Sequence, residues 1–166
     1  LIVKAHQGIP AARNRALAES RGELIAFLDQ DDLYVPEKLA EQVALLDARP
    51  EFGAVYSPVD IVDPEGKVLQ RWPPWWWWRG REGDIFAALL KRWTCIMLIS
   101  LMVRRDALEG VKGFDESLYG SDDLDIILRL AKIVSFGRIP RALASWRWHA
   151  GSGSRQEAIY PDQLAA

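Results

Sequence analysis

Apolar residues along the chain fall into short continuous runs that alternate with stretches of helical spacing. Residues 1–5 read as a buried strand, and Gly8-Ile9-Pro10 starts a helix predicted to reach about Ser20, where Arg21-Gly22 closes it. A second strand is predicted over 24–28, stopped abruptly by Asp29-Gln30-Asp31-Asp32. Pro36 opens another helix, with Leu39, Val43 and Leu46 as its apolar face and Arg49-Pro50 as its end. This βαβα order predicts an α/β fold with an open parallel sheet.

Beyond residue 50 the pattern is less regular. Strand pieces are predicted at 53–57 and 59–62, and the turn Asp63-Pro64-Glu65-Gly66 folds 67–70 back as a hairpin. A helix over 84–93, a buried strand over 96–103 and a short helix over 105–109 follow. Ser121 is placed to cap an amphipathic helix whose apolar face is read as Leu124, Ile127, Leu128 and Ala131. Strands at 135–139 and 142–146 precede a flexible tail over 151–166.

Composition narrows the function classes. The 166 residues are 49% hydrophobic with a formal net charge of -2, which suits one globular domain and leaves no excess of Lys and Arg to coat nucleic acid. Cys95 is the single cysteine, so neither an internal disulfide nor a thiolate metal site can form, and it is assigned to packing. The longest apolar stretch, 93–103, holds about half the residues a membrane-spanning helix needs. The chain opens on Leu1-Ile2-Val3, with no Met, basic flank or cleavage site.

Two acidic clusters carry the candidate chemistry. Asp29 and Asp31 follow a strand's C-terminal end, where α/β sheets collect ligands, and two carboxylates one residue apart can face one hard cation. Alternatively, Asp29 and Asp32 merely solvate and cap the loop before the Pro36 helix. Asp122, Asp123 and Asp125 begin the helix after Ser121, where the helix dipole favours negative charge.

The surrounding strings separate these readings. Gly8-Ile9-Pro10-Ala11-Ala12-Arg13-Asn14, then Leu24-Ile25-Ala26-Phe27-Leu28-Asp29-Gln30-Asp31-Asp32, then Tyr34, Pro36 and Leu39 resemble the family 2 glycosyltransferases of the GT-A fold. Gly113-Phe114-Asp115-Glu116, Asp122-Asp123-Leu124-Asp125 and Trp146-Arg147-Trp148-His149 resemble later segments of the same family. The resemblance covers about 1–154 and implies a Rossmann-like mixed sheet flanked by helices, with 1–50 on the nucleotide and metal side and 51–150 on the acceptor side. It further implies that the family's first strands, with the turns that hold the nucleobase, are missing ahead of residue 1.

By that resemblance Asp31 would ligate a divalent metal, Mn2+ or Mg2+, bridging the donor's diphosphate. Asp29 would hold the ribose or share the metal, and Arg13 and Asn14 would lie near the nucleotide. His149 would complete the metal site or touch the diphosphate. Asp123 would be the base that deprotonates the acceptor hydroxyl, with Asp122 beside it where the family usually has Glu. The helix end would lower the pKa of such a base. Asp125 would brace the helix.

The implied activity is inverting transfer of a sugar from a nucleotide-diphosphate donor to a saccharide or lipid-linked acceptor, in the cytoplasm or at the inner face of the membrane. Trp75, Trp76, Trp77 and Trp78 cannot all enter a core, and they suit sugar stacking, peripheral membrane contact or loop packing alike. An inert GT-A-like module that binds a sugar nucleotide, a saccharide or a partner is the main alternative. A metal-dependent nucleotidyltransferase is a more distant one.

Overall fold

A computed structural model describes residues 5–72, 80–92, 94–118, 120–149 and 151. The strand expected at 1–5, the run of four tryptophans and the tail beyond 151 lie outside these residues, apart from Ala5, which is not in a strand. Helix α1 (Ile9–Glu19) starts as expected, with Gly8 at φ 90° and Pro10 in the first turn. Strand β1 (Leu24–Ala26) is shorter than predicted, and the acidic turn leads into a two-residue strand β2 (Leu33–Tyr34) that the pattern did not reveal. Helix α2 (Lys38–Ala48) follows.

The sheet is mixed, as the family resemblance implied, and not wholly parallel as the βαβα order alone suggested. Strand β3 (Phe52–Tyr56) lies parallel to β7 (Ser135–Arg138), but β6 (Met102–Arg104) runs antiparallel between β1 and β3, giving the order β1-β6-β3-β7. The run read as one strand over 96–103 is broken by a 3-10 turn (Leu98–Ser100), where the Ser100 amide and hydroxyl both donate to the Met97 carbonyl. Only its end is left to pair. Every residue of β3 is buried because the sheet is covered on both faces. Gly53 is needed there, since a Cβ would stand 2.5 Å from Val134.

A second sheet has the order β2-β8-β4-β5, built from β4 (Val59–Val62), β5 (Val68–Trp72) and β8 (Ala144–Arg147). The β4–β5 hairpin turns at Asp63–Gly66 as predicted, with the Lys67 amide donating to Asp63 Oδ1 at 2.8 Å and Gly66 at φ 89°. Strands β4 and β8 are parallel, and β2 closes antiparallel on β8. The acidic turn thereby sits at the junction of both sheets.

Both long amphipathic helices are rotated from the predicted phase. Helix α2 buries Lys38, Gln42 and Leu46, while Leu39 is 49% exposed. The seam it covers presents backbone carbonyls, and Gln42 Nε2 donates to Ser100 O at 2.8 Å. Helices α3 (Phe86–Leu90) and α4 (Arg105–Gly110) precede α5 (Asp122–Ala131), which buries Asp122, Ile126, Ile127, Leu130 and Ala131 and exposes Leu124. Ser121 makes no capping bond through its side chain. Asp122 therefore shares the i, i+4 face that packs inward.

Lys38 is fully buried, and loss of solvation brings its pKa down to about 7. A lysine with a depressed folded pKa binds fewer protons than the unfolded chain between that value and about 10.4, so its contribution to stability rises with pH there. Urea unfolding of the parent and of Lys38→Met from pH 7 to pH 9 is expected to show the parent gaining on the variant. The slope should approach about 1.4 kcal/mol per pH unit.

Candidate functional site

Helix α1 carries Arg13 into a ring of carboxylates drawn from both acidic clusters. Its Nη1 lies 2.6 Å from Asp122 Oδ2 and also bonds Asp123 Oδ1, while Nη2 is 3.2 Å from Asp29 Oδ2. The Arg13 side chain is 11% exposed and Asp122 only 6%, so this contact is largely removed from water. Phe114 lies beneath the guanidinium at 5.5 Å, and its ring meets Phe27 edge-on at 5.3 Å. Burial pulls the Arg13 pKa down, but Asp123, Asp29 and Asp122 outweigh it and the net direction is up.

Three carboxylates face one guanidinium, which leaves net negative charge. The Asp123 carboxyl is pushed up to about 6, chiefly by loss of solvation and further by Asp122 and Asp29, against the pull of Arg13. The direction is the reverse of the lowering expected at a helix end, and loss of solvation is its largest cause. Half of the Asp123 side chain remains open to an incoming group.

Asp31 points elsewhere. Its Oδ2 lies 3.0 Å from His149 Nε2, and the Gly151 amide donates to His149 Nδ1 at 3.1 Å. In the neutral ring, Nδ1 thus accepts and Nε2 carries the proton toward Asp31. Asp29 is directed to Arg13 and Asp31 to His149, so the two members of the Asp-x-Asp pair have separate partners. Among the described residues no three His, Cys, Asp or Glu side chains gather to hold a metal ion. Asp31 offers a carboxylate, and His149 can add Nε2 only in the tautomer that carries its proton on Nδ1 and gives up the Gly151 contact; that donor set fits an ion drawing its other ligands from water and phosphate oxygens.

Asn14 works on the loop beside α5. Its Nδ2 donates to Phe114 O at 2.9 Å and Glu116 Oε1 at 2.8 Å, and its Oδ1 accepts from the Phe114 amide at 2.8 Å. From the other side Arg129 Nη1 donates to Val111 O and Gly113 O at 2.6 and 2.8 Å, while its Nε is 2.9 Å from Asp125 Oδ2. Gly113, at φ 68°, lets the loop turn between these grips. Asp125 thus braces Arg129, and the pair sets the ring on which Arg13 rests.

Asp32, read from the sequence only as a loop cap, and Arg147, given no separate role there, join the acidic turn to β8. The Arg147 amide donates to Asp32 Oδ1 at 2.9 Å, and Arg147 Nε donates to Asp31 O at 2.9 Å. Asp32 is 9% exposed, and burial, opposed by the Arg147 amide, pushes its carboxyl up to about 6. The available signal was the two-residue spacing of Arg147 and His149, which places both on one side of an extended strand.

Comparison with known proteins shows the family and the fold. The model of the family described as Glycosyltransferase like family 2 matches residues 4–155, and the chain belongs to that family. An uncharacterized glycosyltransferase of Methanocaldococcus jannaschii is 29% identical over 141 residues, covering 84% of this chain and 47% of that protein. The O-antigen biosynthesis protein RfbC of Myxococcus xanthus is 31% identical over 150 residues, covering 89% of this chain and 11% of RfbC. The chain therefore spans half or less of the length of these relatives.

Among solved structures, S. aureus TarS 1-349 in complex with UDP-GlcNAc superposes with a TM-score of 0.67 at 18% identity, covering 93% of this chain and 44% of that one. The mannosyltransferase PcManGT from Pyrobaculum calidifontis, in complex with GDP-Man and Mn2+, gives 0.55 at 21% identity, covering 85% and 36%. The fold is that of the GT-A glycosyltransferases.

Asn14→Ala removes three hydrogen bonds that pin the loop carrying Phe114. It is expected to lower the free energy of urea unfolding by about 1–3 kcal/mol, with the loss seen as an earlier midpoint at an unchanged slope.

Proposed function

We propose that this chain carries out inverting transfer of a sugar from a nucleotide-diphosphate donor to an acceptor hydroxyl. The observation that carries this reading is the Arg13 contact, which brings the acidic turn after β1 and the acidic start of α5 to one place, beside the Asp31–His149 pair. Family membership supports sugar transfer, and the two solved relatives bound to UDP-GlcNAc and to GDP-Man with Mn2+ support such a donor.

Asp31 and His149 would hold the divalent metal, Mn2+ or Mg2+, which supplies positive charge against the diphosphate as it leaves. Asp29, more exposed than Asp31, would take the donor's ribose or share the metal. Asp123 accepts the proton of the acceptor hydroxyl. That oxygen forms the new bond to the anomeric carbon while the bond to the diphosphate breaks, and the diphosphate departs with the electron pair. In-line attack inverts the anomeric centre.

Asp122, bound to Arg13, stays in place as the fixed neighbour of the base. A carboxyl with a pKa near 6 is mostly ionised at neutral pH yet more basic than an ordinary aspartate, which suits proton removal. Arg13, surrounded by carboxylates, organises the base, and Asn14 holds the loop beneath it. The acceptor is a saccharide or lipid-linked saccharide, a reading supported by the relative named for O-antigen biosynthesis. Among the described residues no helix is long and apolar enough to cross a membrane. Peripheral contact with the inner face of the membrane, in the cytoplasm, would use Trp75, Trp76, Trp77 and Trp78.

Calorimetry of UDP and GDP binding in Mn2+ is expected to show metal-dependent binding that a folded Asp31→Ala variant loses. An Asp31→Ala variant that binds as well as the parent rules out this donor site, whereas a folded parent that binds neither nucleotide rules out donor binding by this chain on its own. Asp123→Asn is expected to keep nucleotide binding and to lose turnover by about 100-fold or more. Binding without turnover in the parent itself would instead favour a module that only captures its ligand. The base must be ionised, so kcat/KM is expected to fall tenfold per pH unit below about pH 6. A profile flat down to pH 5 contradicts Asp123 as the base.

A further inference from the structure

Lys38 sits at the start of α2, fully buried, and among the described residues no charged group offsets the solvation it has lost. Its Nζ donates to Gln42 Oε1 and lies 4.3 Å from the centre of the Tyr34 ring. Gln42 is itself fully buried and spends its amide on Ser100 O at 2.8 Å and Val55 O at 3.4 Å. The ammonium is thus braced against the carbonyls of β3 and of the 3-10 turn before β6, in the seam between the two sheets.

A side chain of similar shape without charge would fill this space at no desolvation cost, so packing alone does not account for a lysine. What the ammonium adds is an attraction to the face of one ring. Tyr34 is the last residue of β2, and its hydroxyl donates to the carbonyl of Phe27, two residues before Asp29. The far end of the same loop is held by β8, where Tyr34 pairs with Ala144 and the Val35 amide donates to Leu143 O at 3.1 Å. Both ends of the Asp29–Asp31 loop therefore converge on Tyr34.

We infer that Tyr34 and Lys38 are positioning residues for the donor site: Lys38, held by Gln42, seats the Tyr34 ring, and the Tyr34 hydroxyl fixes the Phe27 carbonyl. The loop then presents Asp29 to Arg13 and Asp31 to His149 in one arrangement. This inference rests on the reading of Asp29 and Asp31 as donor ligands. It adds two residues that touch neither nucleotide nor metal. Gln42 completes the device by keeping the ammonium under the ring.

Tyr34→Phe removes only the hydroxyl, and Lys38→Met keeps the volume while removing the charge. Each is expected to weaken Mn2+-dependent UDP or GDP binding about tenfold and to raise the donor KM with kcat and acceptor KM nearly unchanged. The circular dichroism spectrum is expected to stay the same, and Lys38→Met is expected to unfold at a urea midpoint no lower than the parent's at pH 7. A merely structural role instead makes affinity follow stability, and parent-like donor binding in both folded variants overturns the proposal.

Amide hydrogen exchange over 29–34 gives a readout that needs no nucleotide. Exchange at least tenfold faster in both variants, confined to this loop, supports the positioning role even if the donor-site reading fails. Unchanged protection there removes it.

Discussion

The guanidinium of Arg13 is the interaction on which the site depends. It lies between the turn that ends β1 and the first turn of α5, which are remote in sequence and carry all the carboxylates assigned to donor and base. Without a cation at that point, Asp29, Asp122 and Asp123 would repel one another, and buried Asp122 would stand uncompensated. Phe114 supports the ring of charges from below, and Asn14 and Arg129 hold the loop that supplies Phe114. The position of Asp123, the proposed base, thus follows from the Arg13 contact between α1 and α5.

The same contact shapes the electrostatics. Two neighbouring carboxylates and reduced solvation raise the Asp123 pKa, and Arg13 limits the rise. The second acidic residue of the turn, Asp31, is separated from this balance by its contact with His149. One side of the turn therefore faces the proposed base and the other the proposed metal and diphosphate ligands, a division that two carboxylates aimed at a single ion would not provide.

Much of this was legible along the chain, for identifiable reasons. Helix α1, the Asp63–Gly66 hairpin and helix α4 follow from Pro10, Gly66 and Gly110, whose backbone preferences act locally. The antiparallel insertion of β6 was not legible, because the apolar run before it hides the turn in which Ser100 satisfies its bonds. The phase of α2 was misread because its buried face carries Lys38 and Gln42 rather than Leu39. In α5 the inward Asp122 was missed for the same reason, since a hydrophobic pattern gives no sign of a buried charge whose partner lies on another helix. The site residues themselves were named through motif resemblance. Their pairing of Asp29 with Arg13 and Asp31 with His149 depends on strands β2 and β8, and β2 is too short to leave a pattern.

The central claim is most directly tested by a double-mutant cycle in urea unfolding with Arg13→Met, Asp122→Asn and the double variant. If Arg13 holds the two acidic segments together, each single change should be strongly destabilising, and the double change should cost less than their sum by about 2 kcal/mol or more. Additive losses within about 0.5 kcal/mol would show that Arg13 and Asp122 do not depend on one another, and would contradict the account.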